Sequence, residues 1–206
     1  MKSYLLLVVF LLMGQLAASQ DKPLPAPRTE GGMPLMEALK NRKSVREMSA
    51  KMLSDQQLAD LLWAANGVNR PDGRRTAPSA MNCREIEIYV YTAGDIWLYL
   101  PEQNSLKHVL SGDFRSETAM QDFAKEAPVL LVFVSNYEKM ARMNEQQRSF
   151  FEATDVGYVS QNVYLYCAQE GLNTVVMAYI RQENIQKRLG ITNGRALLAQ
   201  AVGYAK

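Results

Sequence analysis

The sequence predicts a single α+β domain, a mixed sheet with helices around it, and three observations carry that expectation. Residues 128–135 are apolar up to the closing Ser135, the pattern of a strand buried on both faces. Residues 145–170 keep a helical pattern over an unusual length and are closed by Gly171. Shorter segments of period two and period 3.6 surround these two, and no internal repeat is visible.

The N-terminus stands outside this domain. Lys2 is followed by an apolar run over residues 4–13 and by small residues at Ala17 and Ser19, the three regions of a secretory signal peptide. The run falls short of the ~20 residues that a bilayer-spanning helix needs, so stable membrane insertion is not expected. Residues 1–19 therefore read as a cleaved leader, which implies export, in a bacterium to the periplasm. Residues 20–32, with Pro23, Pro25, Pro27 and the Gly31, Gly32 pair, read as a linker, and residues 33–206 as one domain. A formal net charge of +2 on 206 residues gives no footprint for nucleic acid.

Within the domain, Pro34 opens a first helix whose apolar residues are Leu35, Met36 and Leu39. Ser54 and Gln57 form a capping-box pair ahead of a second helix, which Asn66 and Gly67 stop. Residues 68–82 form a loop too polar for the core and too long for a simple turn. Ile86, Ile88 and Val90 alternate with polar or aromatic neighbours, and Ala93, Gly94 and Asp95 turn that strand into a second one over residues 97–100. Residues 105–125 read as mixed strand and helix. After the long helix come a strand over residues 173–180, a short helix over 182–189 closed by Gly190, and a last strand over 197–204.

Metal chemistry finds little support. The lone His108 offers no histidine cluster, and Cys83 and Cys167 are too far apart for a paired-cysteine site. Their different settings, one after a loop and one inside a helix, also make a disulfide the less favoured reading.

Two segments carry recognisable chemistry. In an extended chain Arg42, Ser44 and Arg46 point to one side, with Lys43 between them, which gathers fixed cations and a hydroxyl of the kind that grips a phosphate. Spacing alone favours a plainer reading, a solvated basic helix end stabilised by the helix dipole. The second segment, with Pro78, Ser79, Ala80 and Asn82, offers small residues, exposed amides and a side-chain amide that suit the edge of a planar heterocycle. In isolation it reads equally as an ordinary turn.

Taken together these segments resemble the nitroreductase-like flavoproteins, whose signature is an Arg-x-Ser-x-Arg segment followed by a Pro-Ser-x-x-Asn loop. The resemblance continues through Ala127 and Pro128 at the buried strand, through Gly171, Leu172 and Thr174, and through Val202, Gly203 and Tyr204. Within the family the chain looks most like the SagB-type, thiazole/oxazole oxidase-like dehydrogenases, as a stand-alone exported member. The resemblance implies a nitroreductase-like fold with a mostly antiparallel central sheet, in an intertwined homodimer that binds FMN between subunits. It assigns Arg42, Lys43 and Ser44 to the phosphate and ribityl end and Arg46 to the N1 and C2 edge of the ring. Pro78, Ser79, Ala80 and Asn82 would come from the other subunit, and Met177, Ala178 and Tyr179 would line the ring near N5. Lys206 is left to help hold the phosphate, where many relatives have a longer basic tail. Met48 and Cys83 also depart from the residues common in relatives at those positions.

The activity so implied is hydride transfer through flavin N5 in a ping-pong cycle, with the protein positioning and tuning rather than supplying a catalytic acid or base. Because nicotinamide cofactors are chiefly intracellular, export favours an organic substrate, a quinone or a partner protein as the electron donor. The alternatives are a conventional NAD(P)H-dependent reductase of nitro compounds or quinones, and a flavin-binding module without turnover.

Overall fold

A computed structural model describes residues 21–206, and the expected leader over residues 1–19 lies outside them. Seven strands of the described residues form one sheet: β1 (Lys22–Pro23), β2 (Ile86–Tyr91), β3 (Asp95–Leu100), β4 (Ser105–Ser111), β5 (Val129–Asn136), β6 (Asn173–Met177) and β7 (Gly194–Gly203). Their order is β1-β4-β3-β2-β5-β7-β6. Each pairing among them is antiparallel, a more uniform sheet than the mixed one expected. Among the described residues four helices accompany the sheet: α1 (Leu35–Asn41), α2 (Asp55–Asn66), α3 (Glu145–Glu170) and α4 (Gln182–Leu189).

The apolar run becomes β5, which sits in mid-sheet between β2 and β7. Period two then divides its side chains between the two faces. Val129, Leu131 and Phe133 join a cluster with Leu61 and Leu62 of α2 and Val159 and Val163 of α3. Leu130, Val132 and Val134 join another with Ile185 of α4 and Ala119, Ala124 and Ala127. Each fully buried side chain of this size contributes ~1.5–3 kcal/mol, so this strand anchors both layers.

The helix boundaries follow their local chemistry. The Ser54 hydroxyl accepts the Gln57 amide while Gln57 Oε1 accepts the Ser54 amide, the reciprocal pair read in the sequence. Asn144 and Gln147 repeat the device at the start of α3, where the sequence reading saw none. Gly171 ends α3 at φ 67°, a left-handed turn in which a Cβ would be strained.

Two expected features take a different form. The segment read as a linker instead crosses the surface as a strap. Lys22 and Pro23 pair with Leu106 and Ser105, Leu24 is buried, and Arg28 binds Asp60 at 2.6 Å. The apolar residues of α1 face outward, with Leu35 63%, Met36 75% and Leu39 43% exposed, while Ala38 is the buried one. Phe150 and Tyr158 of α3 are also exposed, at 63% and 49%.

The interval 105–125 resolves into β4 and two short 3-10 turns. Residues 178–180 leave the strand pattern after β6, although Ile180 makes an isolated antiparallel bridge to Ala119. Both cysteines are free, Cys83 half-buried and Cys167 fully buried.

Candidate functional site

The basic segment leaves α1 in extended geometry, beginning at Arg42 with φ −56° and ψ 120°. Backbone bonds hold it against the domain: Arg42 N–H donates to the Ala38 carbonyl, Val45 N–H to the Thr174 carbonyl, and Ser49 N–H to the Tyr204 carbonyl. Alternation then brings Arg42 and Ser44 to the same neighbour. The Arg42 guanidinium lies 5.4 Å from the centroid of the Tyr164 ring, and Ser44 Oγ is 2.7 Å from the Tyr164 hydroxyl. The same hydroxyl accepts the Val176 amide at 3.0 Å, and between Ser44 and Tyr164 either hydroxyl can donate to the other.

Arg46 and Lys43 are exposed at this ledge. Among the described residues none of Lys40, Arg42, Lys43 or Arg46 forms an ion pair, although thirteen such pairs occur elsewhere in the chain. Their charge is thus available to an anion. Lys40, Arg42 and Lys43 also line a cavity of about 560 Å³ with Asn173 and Ala205. Lys206, one residue further, lies 3.7 Å from Glu126, so its ammonium is engaged by a carboxylate rather than by the ledge.

The second segment is built on a different part of α3. Ala80 N–H donates to Asp155 Oδ2 at 2.8 Å, and Arg84 N–H to Ser79 Oγ at 2.9 Å. Ser79 therefore closes the loop with its own oxygen, while Pro78, Met81 and Asn82 are exposed. Met81, Asn82 and Arg84 adopt φ of 52°, 55° and 52°, a region that side-chain-bearing residues enter at a cost. Such a shape persists where surrounding contacts fix it.

The two segments do not meet within one chain on the same side of α3. Tyr164 and Asp155, their anchors, are nine residues apart, about two and a half turns and ~14 Å along the axis. Their side chains leave α3 on opposite sides.

The third expected group sits at the end of β6. Met177 is buried at 3% exposure, whereas Ala178 is exposed and Tyr179 stands 77% exposed. Met120 N–H donates to the Tyr179 carbonyl at 3.0 Å, which brings the exposed Met120 beside it. The sequence reading missed Met120, Tyr164 and Asp155. Tyr164 and Asp155 lie within the helical pattern, but their partners are 120 and 75 positions away.

A serine, a histidine and an aspartate also gather on the β3–β4 hairpin, without the geometry of a nucleophilic relay. His108 Nε2 lies 3.0 Å from Asp95 Oδ1 and 3.1 Å from Ser111 Oγ, so both partners address one ring nitrogen. Ser111 Oγ moreover donates to Asp95 at 2.9 Å. A relay needs the two partners on different nitrogens.

Comparison with known proteins agrees with this architecture. The profile described as the Nitroreductase family matches residues 39–204. A Methanocaldococcus jannaschii protein named as a nitroreductase is 32% identical over 174 residues, covering 80% of this chain and 88% of its own. A crystal structure from Ralstonia eutropha, described in the same terms, superposes with a TM-score of 0.87 at 38% identity, covering 93% of this chain and 92% of that one. An NADPH:FMN oxidoreductase from Vibrio harveyi, solved with NAD+, shares the fold at a TM-score of 0.62 and 20% identity, covering 84% of this chain and 69% of that one.

Proposed function

The chain belongs to the nitroreductase family, and on that premise we propose that it is an FMN-dependent oxidoreductase acting as a homodimer. The observation that carries this reading is the ledge of residues 42–46, where the Arg42 guanidinium and the Ser44 hydroxyl meet at Tyr164 and Lys43 and Arg46 stand exposed nearby in the chain. A phosphate and a conjugated ring with an electron-rich edge suit that donor set, because charge-assisted bonds to guanidinium are the stronger class.

In this reading Arg42, Lys43 and Ser44 hold the phosphate and ribityl end, and Arg46 sets a fixed positive charge beside the pyrimidine edge. That charge favours the more negative reduced ring by preorganised electrostatics. Met177, Ala178 and Tyr179 cover the ring near N5, with Met120 extending the apolar surface. The chemistry supplied by a bound flavin is hydride transfer, taken from one substrate and delivered to a second in turn.

The sister chain enters because the loop of residues 78–82 is anchored on the opposite side of α3 from the ledge. A two-fold pairing of chains would set each ledge against the partner loop, with Pro78, Ser79, Ala80 and Asn82 contributed across the interface. The outward apolar residues of α1, together with Phe150 and Tyr158, supply the surface such a pairing would bury.

The leader-like sequence of residues 1–19 supports an exported, periplasmic enzyme, the motif resemblance supports its place in the SagB-type branch, and the electron donor in this reading is an organic substrate, a quinone or a partner protein. Efficient steady-state turnover of NADPH would contradict that donor assignment. The cofactor is tested directly by adding FMN to the purified chain, removing excess by gel filtration and recording a visible spectrum. Retained flavin is the expected result, and a colourless protein at every FMN concentration contradicts the proposal.

A further inference from the structure

Under the loop of residues 79–84 lie two carboxyl groups, Asp155, which anchors the loop, and Glu85, to which the flavin reading gives no task. Glu85 is fully buried and Asp155 is 3% exposed. Asp155 holds the Ala80 amide at 2.8 Å, and among the described residues neither Glu85 carboxyl oxygen receives a hydrogen bond from another side chain, which leaves Asp155 as the group to which a protonated Glu85 donates. An ionised carboxylate so placed would lose its water without a compensating partner. The charged and titratable groups around it are few. Asp155 faces it from α3, Lys139 from the turn after β5, and Cys83 from the loop itself. Lys139 is already bound to Glu87 at 2.9 Å, and Arg142 acts on Cys83 beside the pair.

We propose that Glu85 is a positioning residue, which as a neutral carboxylic acid lets Asp155 stay beneath Ala80 and so fixes the loop of residues 79–84. The consequence for the cofactor rests on the flavin reading; the device itself does not. The loop needs such a fixture because Met81, Asn82 and Arg84 all hold φ near 50°, and the contact from Ala80 to Asp155 ties that shape to α3. Ionising Glu85 would set two carboxylates against each other in a dry site, with Lys139, already bound to Glu87, as the cation that offsets the Glu85 charge. Asp155 would then move toward water and release Ala80.

The direction with pH follows. Burial first, then the hydrogen bond to Asp155 and its charge, push the Glu85 pKa up to about 7 from an ordinary 4.5, against the opposing pull of its own backbone amide and Lys139. A pKa raised in the folded state gives stability that is complete below the ordinary carboxyl value and lost as pH rises through about 7. The loop is therefore ordered in mild acid and loosened in mild base.

Amide hydrogen exchange on the whole chain without added flavin, at roughly pH 5.5 and 8.5 and corrected for intrinsic exchange, tests this. Protection over residues 80–84 should fall about tenfold or more in the native sequence and stay constant in Glu85→Gln. Equal pH dependence in the two proteins overturns the proposal. If the β5 amides show that Glu85→Gln is unfolded, Asp155→Asn replaces it. Removing the facing charge should then abolish the pH-dependent loss, and a loss that persists overturns the proposal as well. FMN titrated at both pH values should bind about tenfold more weakly in base to the native chain and equally to Glu85→Gln. A loop that responds as described in a protein that binds no FMN at either pH contradicts the flavin reading and leaves the carboxyl pair standing.

Discussion

Ser44 Oγ lies 2.7 Å from the Tyr164 hydroxyl, which also accepts the Val176 amide at 3.0 Å, so one helical side chain joins the basic ledge to β6. Strand β6 leads directly to Met177, Ala178 and Tyr179, and the two ends of the proposed flavin site are thereby set at a fixed separation. Tyr164→Phe removes the hydroxyl and keeps the ring. At ~1 kcal/mol per bond, FMN affinity should fall about five- to tenfold with at most a small loss of stability. Titration of flavin fluorescence against the variant checks this, and unchanged affinity would show that the ledge is positioned by its backbone alone.

Arg46→Ala is expected to weaken FMN retention and to lower the flavin midpoint potential, because a fixed cation no longer favours the reduced ring. Spectroelectrochemistry on the flavin-loaded variant reads the potential directly. A potential equal to that of the native protein removes Arg46 from its assigned place.

Gly157 bears on the pairing of chains. It lies exposed in α3, and a Cβ added there would meet no atom within 4 Å in its own chain. In a lone chain Gly157→Ala should therefore stabilise by up to ~1 kcal/mol through helix propensity. In a dimer whose partner approaches α3 closely, a bulky Gly157→Trp should shift sedimentation toward monomer and reduce flavin retention in parallel. A Gly157→Trp protein that stays dimeric and yellow would place the interface elsewhere.

The cysteines should respond unequally. Burial pushes the Cys167 thiol well above its ordinary range, while Cys83, also raised by burial, is only half-covered. Brief alkylation of the native protein followed by peptide mass analysis should label Cys83 and spare Cys167. Labelling of Cys167 at a similar rate would mean that α3 opens far more readily than its packing implies.

What the sequence disclosed was the local physics. The Ser54 and Gln57 cap, the doubly buried β5, the turn at Ala93, Gly94 and Asp95 and the glycine stop at Gly171 depend on neighbours within a few positions. The alternation of Arg42 and Ser44 was legible for the same reason, and both do meet Tyr164. Features that depend on distant segments were hidden. Composition could not show that the proline-rich strap pairs with β4, since that pairing spans some eighty positions. Period 3.6 located the apolar residues of α1 but not their direction, and they face outward because Ala38 is what α1 buries. Glu85 gave no signal in the sequence, and its burial emerges only in the folded chain, where Asp155 is brought against Ala80.

The central claim is that each flavin is enclosed by the ledge of one chain and the loop of another, and mixed dimers test it most directly. A ledge variant, Arg42→Ala with Arg46→Ala, and a loop variant, Ser79→Ala with Asn82→Ala, should each retain little FMN alone. When the two are refolded together, an interchain site predicts one intact site in each mixed dimer and a corresponding return of bound flavin. No return of flavin in mixed dimers that demonstrably form would contradict the account, because it would mean that ledge and loop serve the same site only within a single chain.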